Sequence, residues 1–213
     1  MTTTITDSVR RFRDADTPQK ILDVAERLVQ TRGFNGFSYA DIAVELQITK
    51  AALHYHFPNK AELGRALVAR YTDRFADALA RADDSGLDPL GRLATYAQIY
   101  IEVLRRGRMC LCGMLAAEYQ TLPMPVKHAV MEFFERNETW LADLLESGLR
   151  DQSLRFGGTP QQMARFVVSE LEGAMLLARL HDDPELFEAA VRRLLEGVTP
   201  SIAVPAVAPR RRR

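Results

Sequence analysis

The sequence predicts an all-helical protein, a small N-terminal helix-turn-helix domain followed by a larger helical domain with about nine helices in all, and three observations carry the prediction. Strict apolar/polar alternation is absent, whereas apolar residues recur every three or four positions almost throughout, which is the period of a half-buried helix. Proline stands near the start of stretch after stretch, at Pro18, Pro89, Pro125, Pro160 and Pro184, where its missing amide would have had no helical partner. The composition, 47% hydrophobic and 26% charged over 213 residues, is that of an ordinary globule able to bury about 70% of its chain surface.

Residues 1–16 show no apolar stripe and read as a disordered arm. Thr17-Pro18 opens the first helix, because Thr caps free amides and Pro suits the first helical position. Ile21, Leu22, Ala25, Leu28 and Val29 form its stripe, and Gly33 suits a left-handed stop, so this helix covers about 18–32. Ser38 followed by Asp41 resembles a capping box, with Ile42, Ala43 and Leu46 as the buried face of a helix of two turns. Gln47-Ile48 interrupts, Thr49 offers a fresh cap, and Ala51 to Phe57 forms another short helix that Pro58 ends. Two short helices joined by a tight turn make a helix-turn-helix, placed within a domain over residues 17–62.

A larger helical domain follows over 63–198. Asn59 and Glu62 cap a long fourth helix of about 60–82, closed by Asp83-Asp84-Ser85-Gly86. Five more stretches, about 89–106, 109–120, 125–150, 160–181 and 184–198, are separated by Gly107, Leu122-Pro123-Met124-Pro125, Gly157-Gly158-Thr159-Pro160 and Asp182-Asp183-Pro184. From residue 199 the chain loses periodicity and reads as a disordered Pro/Arg tail ending in Arg210 to Arg213.

Apolar runs such as Met109 to Ala117 are far shorter than the roughly 20 residues that cross a bilayer, so neither a membrane span nor a membrane partner is expected. Cys110 and Cys112 are too few and too close for a disulfide framework, which points to a reducing, cytoplasmic setting. The 28 basic and 28 acidic residues balance, which argues against coating nucleic acid through bulk charge. Residues 1–70 carry ten basic and eight acidic side chains and residues 71–209 fourteen and twenty. A nucleic-acid contact therefore belongs near the front of the chain or on the Arg tail.

The sharpest signal is Ile48-Thr49-Lys50-Ala51-Ala52-Leu53-His54-Tyr55-His56-Phe57-Pro58-Asn59-Lys60. With Gly33-Phe34, Ser38-Tyr39, Ile42-Ala43 and Leu63 around it, this segment resembles the TetR family of bacterial transcriptional regulators over about residues 17–70. The departure is His54, where Tyr is commoner. The physics fits the role: Ala51 and Ala52 let the backbone approach base edges in the major groove. Thr49 offers a hydroxyl and helix-start amides to a phosphate, and Lys50 reaches a base or phosphate. Tyr55 and His56 add donors at the trailing end, and Lys60 sets a cation against the DNA backbone. By resemblance, Ser38 and Tyr39 stand at the phosphate across the groove. His54 and His56, two apart on a helix, point to different faces and make no metal pair.

The same resemblance implies that helices four to seven surround a ligand cavity and that helices eight and nine pair with a second copy. Phe166, Val167, Leu171, Ala174 and Ala178, with Phe187, Val191, Leu194 and Leu195, are the interface candidates. The alternative, that they serve only the monomer core, stays open because periodicity cannot tell a partner helix from a neighbour. Candidate cavity residues are Tyr100, Met109, Cys110, Met114, Phe133, Trp140 and Met175, with Glu118, His128 and Arg179 as inward polar groups.

Met109-Cys110-Leu111-Cys112-Gly113 also resembles a segment of TetR subgroups that sense electrophiles through the residue matching Cys110. A Lys assists there, where this chain has Arg179, and the packing reading of both thiols stands beside it. The resulting expectation is a one-component repressor that binds a palindromic operator as a homodimer and is released by a small-molecule effector, without a cofactor. Thiol sensing through Cys110 is the alternative. An enzyme is the reading from another class, and it finds no nucleotide loop, metal spacing or nucleophile-base pair.

Overall fold

The computed structural model describes residues 4–200, with side chains from residue 16. Among the described residues nine α-helices follow in order: α1 (Thr4–Arg32), α2 (Tyr39–Leu46), α3 (Lys50–His56), α4 (Lys60–Asp83), α5 (Pro89–Arg105), α6 (Leu111–Ala117), α7 (Met124–Arg150), α8 (Pro160–Leu180) and α9 (Pro184–Val198). A single 3-10 turn, Tyr119–Thr121, lies between α6 and α7.

The helix starts follow the sequence chemistry. Thr49 Oγ1 accepts from Ala52 N–H at 3.1 Å, Asn59 Oδ1 from Glu62 N–H at 2.9 Å and Asp88 Oδ1 from Gly91 N–H at 2.8 Å. At α8, Thr159 and Gln162 exchange side-chain and backbone bonds at 3.2 and 3.0 Å. Each such cap is worth about 1 kcal/mol.

Two expectations are corrected. The first helix begins at Thr4 and takes in most of the stretch read as a disordered arm, passing through Pro18. Residues 4–16 contain no Gly, and helical propensity can extend a helix where no apolar stripe announces it. Proline at 18 removes one backbone hydrogen bond yet keeps a helical φ, a cost of about 3 kcal/mol. The sixth helix is shorter than expected, because Cys110 is its N-cap and the chain tightens into the 3-10 turn after Glu118. The Pro/Arg tail beyond Pro200, with Arg210 to Arg213, lies outside the described residues.

The helix-turn-helix closes around Ile21, Leu28, Ile42, Leu53 and Leu63, all essentially buried. The long α4 leaves this unit and packs along α7; α8 lies between α7 and α9, and α5 packs on α9 and α7. Charges tie α4 back to α1: Arg70 bonds Asp23 and Glu26 at 2.7 Å each, and Arg74 bonds Glu26 at 2.5 Å. Because Glu26 is buried, this pairing is what makes its charge tolerable there. No helix among the described residues is long and apolar enough to cross a membrane.

Candidate nucleic-acid interface

Capping fixes the direction of α3, and burial of Leu53 and Phe57 fixes its roll. Thr49, Lys50, Ala51, His54 and Tyr55 are left exposed, with Ala52 and His56 half-buried. Tyr55 is 84% exposed, an unusual position for a tyrosine, with its ring edge-to-face on His56 at 5.1 Å between centroids. Together with the small Ala51 and Ala52, this gives a face whose leading end can approach a base edge closely.

Tyr39 and Lys60 are placed differently from their sequence reading. The Tyr39 hydroxyl donates to Phe57 O at 2.9 Å and its ring lies 4.8 Å from His54, so it sets the angle between α2 and α3. Burial pushes its pKa up to about 12. Lys60 is tied back onto its own protein. Its Nζ donates to Phe34 O and Phe37 O at 2.5 Å each and sits 4.8 and 4.2 Å from the centroids of their rings. Burial lowers its pKa, opposed by the Glu118 and Asp41 charges. Ser38 stays exposed at the start of α2, with its hydroxyl donating to Asp41 at 2.6 Å. Ser38, Lys50 and His54 nevertheless line one shallow groove with Asn59 and Lys60.

In the larger half, Tyr100, Met109, Cys110, Phe133 and Met175 are buried, with Met114 and Trp140 half-buried at the edge. Tyr71, Phe75, Tyr96, Tyr100, Phe133 and Trp140 form a continuous ring cluster with centroids 5.3–6.2 Å apart. Cys110 sits against it: Tyr71 Oη donates to Sγ at 3.8 Å and Cys110 N–H points at Met175 Sδ at 3.2 Å. Burial drives both cysteine pKa values well up, and the neighbouring Glu172 carboxylate adds to this. Arg105, which could have favoured the thiolate, instead pairs with Glu188 at 2.8 Å.

The three polar cavity candidates are not on the ring cluster. Glu118 Oε2 accepts from Phe34 N–H at 2.6 Å and Asn35 N–H at 3.1 Å. Arg179 donates to Gln30 O at 3.0 Å and Thr31 O at 2.8 Å. Both therefore grip the end of α1, because that end offers free carbonyls and the following loop offers free amides. His128 is exposed in a groove between α4 and α7, near Arg65 and Arg136. The charged group beside the buried thiol is Glu172, which the sequence reading missed. A lone carboxylate one position past the buried Leu171 carries no distinctive signal.

The interface candidates divide. Val167, Leu171, Ala178, Phe187, Val191 and Leu194 are buried within the protomer, whereas Ala174 and Leu195 are half-buried and Phe166 is exposed. The outward apolar face consists of Phe166, Leu176, Leu177 and Leu180 on α8 with Leu186 on α9, between 41 and 74% exposed. Gly173 and Ala174 line a groove between the two helices on that face. The missed leucines had a signal, since Leu176, Leu177 and Leu180 lie on the opposite side of α8 from Leu171 and Met175, a second apolar side beyond the one the core takes up.

The family described as bacterial regulatory proteins, tetR family, matches residues 21–67, and a tetracyclin repressor-like C-terminal domain matches residues 89–194. A TetR-family transcriptional regulator from Agrobacterium tumefaciens is 33% identical, with a TM-score of 0.85 over 88% of this chain and 100% of its own. The reduced form of NemR from E. coli is 26% identical, with a TM-score of 0.76 over 88% of this chain and 100% of its own. The HTH-type transcriptional repressor DhaR of Mycobacterium sp. strain GP1 is 24% identical over 190 residues, 88% of this chain and 96% of the relative.

Proposed function

The chain belongs to the TetR family of bacterial regulatory proteins, DNA-binding regulators rather than enzymes, and from this premise we propose that it is a repressor released by a small molecule. Family membership implies operator binding and dimerisation. The reading adds a palindromic operator, α3 as the element in the major groove, the outward face of α8 and α9 as the dimer contact, and a noncovalent, mainly apolar effector in the larger half. The observation that carries it is the exposed face of α3, where Thr49, Lys50, Ala51 and Tyr55 stand free of the core that Leu53 and Phe57 anchor.

Two copies of α3 must enter successive major grooves about 34 to 36 Å apart. An effector that favours another spacing weakens binding by its difference in affinity for the two arrangements. Thiol sensing is the poorer reading, because Cys110 is 1% exposed and its thiolate is disfavoured by burial and by Glu172. The test is selection of duplexes from genomic DNA by the purified protein, followed by binding titrations at several salt concentrations. A palindromic consensus bound by the dimer is expected; equal affinity for every duplex would sink the reading.

A further inference from the structure

The join between the two halves is held from the effector side by three separate elements, all on the short segment from Gln30 to Asn35. Gln30 O accepts from Met109 N–H, at the approach to α6, at 3.2 Å. The same carbonyl and Thr31 O take the two arms of the Arg179 guanidinium at the end of α8. Phe34 N–H and Asn35 N–H both donate to Glu118 at the end of α6, and the Asn35 side chain donates to Thr121 Oγ1 at 2.7 Å. From the other side, Lys60 at the start of α4 holds Phe34 O and Phe37 O. The Phe34 residue is thus gripped at its N–H by the effector half and at its C=O by the DNA-binding half.

This segment has little slack. Gly33 has φ +82°, a conformation side chains disfavour, and an added Cβ would run into the Glu118 carboxyl. At Gly64 an added Cβ would meet the Phe34 ring at 2.9 Å and Val126 of α7 at 2.8 Å. The two gripping helices also touch each other, through Cys110 N–H on Met175 and the close approach of the Glu172 carboxylate to Gly113. A shift of α6 relative to α8 therefore pulls on both ends of the same six residues, which lead directly into α2.

We propose that Glu118 and Arg179 are positioning residues through which the state of the effector half is read by the helix-turn-helix, with the Gln30 to Asn35 segment as the joint. The proposal rests on the reading of the chain as an effector-responsive DNA-binding regulator. Linkage is reciprocal: if an effector in the larger half changes DNA affinity, DNA changes effector affinity by the same factor, and with the joint as the route it does so by altering how α6 and α8 are held.

The experiment needs no effector. Hydrogen exchange is followed in the wild-type dimer with and without a duplex selected by the protein itself. Operator should slow exchange in α6 and the end of α8 by at least about fivefold, the lower end of ordinary coupling. In a Glu118→Ala, Arg179→Ala double variant of unchanged helical content, the duplex should still protect α3 while exchange in α6 and α8 changes less than about twofold. Glu118→Gln keeps an acceptor for the two amides and should restore the wild-type response, which a merely structural role for the charge would not predict. If the double variant does not fold, Glu118→Ala alone must at least halve the response. A double or single variant that transmits as the wild type does, or a wild type whose α6 and α8 ignore bound DNA, overturns the proposal. Failure of the wild type to select any duplex is a different result, one that removes the regulator reading itself.

Discussion

The Cys110 thiol and the Glu172 carboxylate are neighbours inside the larger half, each weighing on the other's charge, while the carboxylate oxygen Oε1 is buried without a hydrogen-bond partner. Burial raises the Glu172 pKa from 4.5 to about 6. Between these values the folded chain holds a proton that the unfolded chain has released, so this residue's contribution falls as pH rises through that window and is constant above it. Glu172→Gln should therefore stabilise the dimer at pH 7 by up to about 2 kcal/mol, with no gain below pH 4.5. Urea unfolding at one protein concentration across this pH range checks it; equal gains at both ends would show that the carboxylate charge is not the cause.

The same arrangement predicts a slow thiol. With both cysteines buried and their pKa values pushed well up, iodoacetamide should modify the native dimer far more slowly than the unfolded chain. Cys110→Ser should bind and release operator as the parent does. Mass spectrometry showing rapid Cys110 alkylation coupled to DNA release would favour the thiol-sensing alternative.

The two lysines at the DNA end should separate cleanly. Lys50→Ala removes an exposed cation from the start of α3 and should reduce the slope of log affinity against log salt by about one. Lys60→Ala removes the donor that Phe34 O and Phe37 O share and should cost about 1–3 kcal/mol of folding stability with little change in that slope. Salt-dependent anisotropy titrations and thermal melts measure the two effects side by side.

The outward and inward faces of α8 should likewise part. A charge at Leu177 or Leu180, both exposed, should yield folded monomers by analytical ultracentrifugation. Leu171→Ala, beneath the surface, should instead cost about 2–5 kcal/mol of stability while the protein remains dimeric. A dimer that tolerates Leu177→Glu and Leu180→Glu together would place the interface elsewhere.

What could be read from sequence was what neighbouring residues decide. Thr49 and Asn59 cap the helices they precede, because a cap acts on an amide two or three residues away. The exposed character of Tyr55 followed from its spacing to Leu53 and Phe57, two positions from each and so off their shared face. Glu118 and Arg179 defeated the method because their partners lie 84 and 149 residues away in sequence, and no local pattern distinguishes a carboxylate aimed at an amide from one aimed into a cavity. Val167 and Leu171 are buried in the protomer and Phe166 is not, a difference invisible in sequence because an apolar period records burial without saying whose surface does the burying.

As the proposed dimer contact, the leucine face of α8 has a genetic consequence. A chain with a damaged α3 but an intact Leu176, Leu177 and Leu180 surface would still find partners, and every normal chain it captured would sit in a mixed pair with one competent reading head. Such alleles should be dominant over the normal copy in the same cell, whereas alleles that break the α8 face should be recessive, because their products never enter the pool of pairs.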